Sequence, residues 1–76
     1  MKADATVDAR GTLCPIPIVW AAERMRTLAP GAVLEVLATD AAVLEDLPAW
    51  CRATGHQFLD FEVGAGVYTG YARHRE

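Results

Sequence analysis

The stretch Ala32–Thr39, "AVLEVLAT", decides the fold. It is almost continuously apolar, with one charge at Glu35, and rich in Val and Leu. Eight residues are too few for a typical helix, and such a run suits a strand buried on much of both faces. A strand of that kind belongs in the middle of a sheet, so the flanking segments must supply its neighbours and its cover.

Upstream, "APG" at Ala29–Gly31 ends a different pattern. Ile18, Ala22, Met25 and Ala29 recur at spacings of three and four, with Ala21 and Leu28 alongside and Glu23, Arg24 and Arg26 largely opposite. This predicts an amphipathic helix of about three to four turns. It starts at Pro15, because proline fits a first turn where its missing N–H is not needed. Before it, "DATVD" at 4–8 suits a short strand, and Gly11 breaks the pattern.

Downstream, Thr39 or Asp40 can cap a second helix with Val43, Leu44, Leu47, Trp50, Cys51 and Thr54 at helical spacing. Pro48 should kink or restart it near Asp46 or Leu47, and Gly55 should end it. "HQFLDFEV", 56–63, alternates, with Leu59, Phe61 and Val63 predicted on one side and Phe58, Asp60 and Glu62 on the other. "GAG" at 64–66 permits a tight hairpin into a return strand over 67–74. The order is β-α-β-α-β-β. It predicts one domain over residues 1–76, an α/β (α+β) two-layer sandwich with a mixed four-stranded sheet and both helices on one face.

The chain has 76 residues, 53% of them hydrophobic, and a net charge of −3. A domain of this size buries only about 60–65% of its unfolded surface, leaving little room for an internal ligand cavity. No basic run marks a nucleic-acid footprint. No apolar stretch approaches the ~20 residues of a membrane span, and the N-terminus lacks a signal-peptide core. The expected location is the cytoplasm, where the two cysteines stay reduced. The chain lacks Cys-x-x-Cys and paired-histidine spacing, so no metal and no cofactor are expected.

Attention then falls on "GTLCPIPIV", 11–19. Cys14 precedes the predicted helix, where free N–H groups and the helix dipole favour an anion. A free cysteine is only ~3% thiolate at pH 7, and a dipole term of about 0.3–1 kcal/mol raises that to about 5–14%. The expectation is a thiol with lowered pKa on a stiff proline mount. His56 and His74, the only histidines, are not placed by sequence beside Cys14, so cysteine–histidine catalysis is not expected. Cys51 reads as a small core residue, with a Cys14–Cys51 redox pair as the alternative. Asp8 should bond loop N–H groups and Gly11 should serve the backbone. Arg10 is a candidate for positive potential near the thiolate.

These residues carry a resemblance. "DARGTLCPIP", 8–17, resembles the signature of the TusA/SirA-like sulfur carrier family: Asp8, Gly11, Cys14, Pro15 and Pro17 match in order and spacing, and Arg10 and Leu13 are typical. "APGAVLEVLATD", 29–40, and "EDLPAWC", 45–51, resemble its later segments. The resemblance implies that Cys14 carries sulfur as a persulfide, with Pro15, Pro17, Asp8, Arg10 and Gly11 in support. It implies a carrier more than a stand-alone catalyst. Its partners would be a cysteine desulfurase or rhodanese-type donor and a downstream acceptor protein, in tRNA thiolation, molybdenum cofactor sulfuration, sulfur oxidation or a selenium-related role. Ile16 and Trp20 depart from the family pattern. They form an apolar docking surface around Cys14, unless Trp20 belongs to the core. A thiol-disulfide or regulatory interaction module using Cys14 and Cys51 is the alternative function.

Overall fold

The computed structural model describes all residues, Met1–Glu76. The elements run β1 (Ala5–Ala9), α1 (Ile16–Met25), β2 (Val33–Ala38), α2 (Val43–Thr54), β3 (Gln57–Gly64) and β4 (Val67–Arg73). The sheet order is β1-β2-β4-β3, with β1 parallel to β2 and the other pairs antiparallel. The predicted β-α-β-α-β-β order and mixed four-stranded sheet are what the chain adopts, and β2 is an inner strand as its composition required.

β2 is less symmetric than its apolar run suggested. Leu34, Val36 and Ala38 are fully buried, while Val33, Glu35 and Leu37 are half-buried on the other face. The buried set meets Ala5, Val7 and Ala9 of β1, Ala21 and Met25 of α1, and Val43, Leu47 and Cys51 of α2 in one core. On the open face Glu35 is tied by Thr6, whose hydroxyl donates to it at 2.9 Å. The buried Tyr71 hydroxyl lies 3.1 Å from Glu35 and donates to Glu62 at 2.8 Å. The lone charge of the central strand is thus satisfied across three strands.

Gly70 sets how closely α2 approaches the sheet. A Cβ there would run into a methyl of Leu47 and come within 2.9 Å of the Phe61 ring. Only a residue without a side chain lets the helix and Phe61 share that space.

Three local expectations are corrected. The first helix ends at Met25, short of the "APG" turn, and begins at Ile16, with Pro15 just outside it at φ −98°. The second helix does not restart at Pro48 but runs through it as one element. The carbonyl that this proline deprives of a partner belongs to Leu44, which is 40% exposed, so water can replace the lost N–H. The alternation in β3 is interrupted by a bulge between Phe58 and Asp60. The extra residue puts Phe58 and Phe61 on the same, helix-facing side, their ring centroids 4.9 Å apart. Val63, at the strand's far end, is exposed. Gly55 does end α2, at φ +83°.

Candidate functional site

β1 and β2 are parallel neighbours, and each leads into a helix packed on the same core. Both helices therefore begin at the carboxyl end of their strands, the end where ligand sites form in such sheets. This topology brings Cys14, before α1, against the segment 40–46 that opens α2.

Two carboxylates meet Cys14 there. The Cys14 N–H donates to Asp40 Oδ2 at 2.9 Å, and the Cys14 thiol donates to Asp46 Oδ2 at 2.8 Å. Asp40 also accepts from the Ala42 N–H at 3.0 Å, which opens α2 in the way expected of a capping residue, although the helix proper starts at Val43. These two N–H bonds hold the Asp40 carboxyl below its ordinary value.

The expected lowering of the Cys14 pKa is overturned. The thiol is pushed up, first by its hydrogen bond to Asp46, then by desolvation and by the charges of Asp46 and Asp40. The anion-binding helix end is missing as well. The Ile16 N–H bonds Leu13 O at 2.9 Å, Pro17 has no N–H, and the Ile18 and Val19 N–H groups both bond Pro15 O. The first turn of α1 offers Cys14 no open donor. The resting sulfur is an exposed, protonated thiol held by a carboxylate.

The supporting residues act through the loop. Asp8 accepts from Arg10 at both oxygens, at 2.8 and 2.7 Å, and from the Arg10 backbone N–H at 3.2 Å. These bonds bring its carboxyl down to about 2. Arg10 is committed to Asp8 and is absent from the charges that act on Cys14. Gly11 adopts φ +80°, a left-handed conformation, with its N–H donating to Thr39 Oγ1 at 2.9 Å. Nothing lies within 4 Å of where its Cβ would be, so the backbone angle, not crowding, requires glycine.

In the segment that carries Cys14, Leu13, Val19 and Trp20 are exposed by 73%, 44% and 40%, and Ile16 is half-buried. Trp20 is a surface residue and not part of the core. Cys51 is in the core, 1% exposed, its thiol pushed up to about 11 by burial. Both cysteines are free.

Sequence reasoning missed Asp46 as a partner of the sulfur and used Asp40 only as a cap. The available signal was topological: two β-α units with parallel strands must place both helix starts at one end. Leu13 was noted only as typical of a motif, and its exposure was the unread clue.

The residues 5–73 match the family model described as sulfurtransferase TusA. The chain belongs to the TusA family. It is 39% identical over 70 residues to the sulfur carrier protein TusA of Pseudomonas aeruginosa, covering 92% of this chain and 89% of that one. It is 42% identical over 73 residues to YrkF of Bacillus subtilis, covering 96% of this chain but only 40% of that longer protein. The crystal structure of a SirA-like protein from Desulfitobacterium hafniense superposes with a TM-score of 0.82 at 28% identity, covering 95% of this chain and 99% of the other. No helix is long and apolar enough to cross a membrane.

Proposed function

We propose that this chain is a one-domain cytoplasmic sulfur carrier that accepts sulfane sulfur as a persulfide on Cys14 and passes it to an acceptor protein. One observation carries the reading: in a TusA-family fold, the exposed thiol stands directly before Pro15 and is hydrogen-bonded to a carboxylate. Such a sulfur can be reached by another protein's sulfur and has a proton acceptor in contact. It lacks the paired histidine that bond-cleaving cysteine enzymes use.

In loading, Cys14 Sγ attacks the outer sulfur of a persulfide on the donor, a cysteine desulfurase or rhodanese-type protein. The new S–S bond forms as the donor's breaks, and the electron pair leaves on the donor's cysteine sulfur. The thiol proton passes to Asp46 and then to the departing thiolate, so nothing is oxidised or reduced overall. In delivery, an acceptor nucleophile takes the outer sulfur and Cys14 leaves, regaining its proton through Asp46. Between these events the raised pKa keeps the empty carrier a thiol, which resists oxidation better than a thiolate. The exposed Leu13, Val19 and Trp20 offer the partners an apolar seat beside the sulfur. Partner cations facing Asp40 and Asp46 would favour the thiolate during transfer.

An internal Cys14–Cys51 redox pair is a poorer reading, because Cys51 is a fully buried core residue with a raised thiol pKa. Incubation with a cysteine desulfurase and cysteine, followed by intact-mass measurement, tests the proposal. The gain of one sulfur atom is expected for the native chain and for Cys51→Ser, and not for Cys14→Ser. No gain with several active donors would rule the carrier role out.

A further inference from the structure

The small chain was expected to have little room for an internal ligand cavity, and its surface carries an open cleft of about 440 Å³ at the opposite end of the helix pair from Cys14. Arg26, His56, His74 and Arg75 line it, with Trp50 and Met25 among its apolar walls. No carboxylate lines it, although the chain holds ten acidic residues against seven basic ones. The α1 helix separates it from Cys14, and its 10 residues span about 15 Å.

The bonding of His56 gives the cleft its specificity. Arg75 approaches both ring nitrogens: its backbone N–H lies 3.0 Å from Nδ1 and its Nη1 lies 3.2 Å from Nε2. A neutral imidazole accepts at one nitrogen and donates at the other. Whichever nitrogen holds the proton, one contact sets donor against donor. Protonating the ring would make both contacts unfavourable, and burial with the neighbouring Arg75 and His74 holds its pKa down. The backbone contact is the better acceptor geometry, so the ring proton belongs on Nε2. That N–H and the Arg75 guanidinium then converge with no acceptor between them. Part of the guanidinium is already satisfied by Thr54 O at 3.0 Å. An oxyanion entering the cleft would accept from both groups.

We propose that this cleft binds a small oxyanion, a carboxylate or phosphate on a flat apolar body. His56 Nε2–H and Arg75 hold the anion, Arg26 adds charge, and Trp50 with Met25 receives the apolar part. Trp50 is already set against His56, with ring centroids 5.1 Å apart, and His74 meets His56 edge-on at 4.9 Å. The volume suits a ring-sized molecule. This site is independent of sulfur transfer at Cys14.

Titration of the ¹⁵N-labelled chain with phenyl phosphate and with benzoate, at fixed ionic strength, tests the site. Saturable shifts are expected at the Trp50 indole N–H, the His56 ring and the Arg75 amide, without movement at the Cys14 amide. Saturation by phenyl phosphate alone assigns a phosphate ester, and saturation by benzoate alone assigns a carboxylate. Arg75→Gln and Arg26→Gln are surface changes whose spectra should stay dispersed, and Arg75→Gln should weaken binding by about tenfold or more, the loss of a charged hydrogen bond. Shifts that do not saturate, that sodium chloride reproduces, or that neither variant weakens would overturn the proposal.

Discussion

The two ends of the helix pair are chemical opposites. At the starts of α1 and α2 sit Asp40, Glu45 and Asp46, and at their ends sit Arg24, Arg26 and Arg52. Each set is where the helix dipoles favour it. The contrast bears directly on Cys14. A positive helix end was expected to draw out a thiolate, but carboxylates stand beside the sulfur, and the thiol keeps its proton and donates a hydrogen bond to Asp46 instead. A helix dipole thus predicts the charge of a neighbourhood. It does not predict the charge of every group in it, since a stronger acid placed there takes the favourable position first. At the other end, Arg26 joins His56, His74 and Arg75, which lie outside both helices, in a cleft with no carboxylate.

What holds the two ends in one body is the middle, where Leu47 and Phe61 close over Gly70. The largest effect on stability is expected there. Gly70→Ala forces a methyl into Leu47 and Phe61, an overpacking that should cost about 1–3 kcal/mol. Urea unfolding followed by tryptophan fluorescence and by Cys51 thiol exposure should show both signals moving together to lower urea. If one end unfolded before the other, the two ends would be separate units and the comparison would describe two regions rather than one frame.

Replacing one carboxylate tests the acidic end itself. Asp46→Asn removes the first cause of the raised Cys14 pKa, so the reactivity–pH curve should move to lower pH. Each pKa unit recovered raises the thiolate fraction tenfold but lowers its intrinsic nucleophilicity, leaving alkylation about three- to fourfold faster at neutral pH. Iodoacetamide labelling of Cys14 in a Cys51→Ser background measures this. An unmoved curve would show that Asp46 does not govern the sulfur. Asp40→Asn should move it less, because Asp40 acts on the sulfur only as the weakest of the four causes.

Much of this molecule could be read from its sequence. "AVLEVLAT" placed β2 inside the sheet, Gly55 marked the end of α2, and Cys14 stood out ahead of two prolines. What escaped depended on pairings between distant residues. The bonds of Cys14 to Asp40 and Asp46 span 26 and 32 positions, and only the parallel pairing of β1 with β2 creates them. The start of α1 was misplaced by one residue, yet the anion argument failed for another reason: local bonds and Pro17 had used up every donor. The bulge at Leu59 left no mark in an alternating pattern, because Leu59 falls in step with the apolar Phe61 and Val63.

The smallest effect belongs to the Asp8–Arg10 pair, which shapes the loop leading to Cys14 without touching the sulfur. Its carboxyl is about half exposed, so water screens the charge and Asp8→Asn should lower stability only slightly at neutral pH. The sign of its pH dependence is fixed. The folded carboxyl titrates near 2 and the unfolded one near 3.8. The pair's contribution is therefore complete above about pH 4 and is lost as the pH falls toward 2. Denaturation midpoints compared between the native chain and Asp8→Asn should converge through that window. The Cys14 alkylation rate should stay the same in both, because Arg10 lends the sulfur no charge. A rate that changed with Asp8 would mean that the loop geometry, and not only the carboxylates of the opposite segment, sets the reactivity of the acidic end.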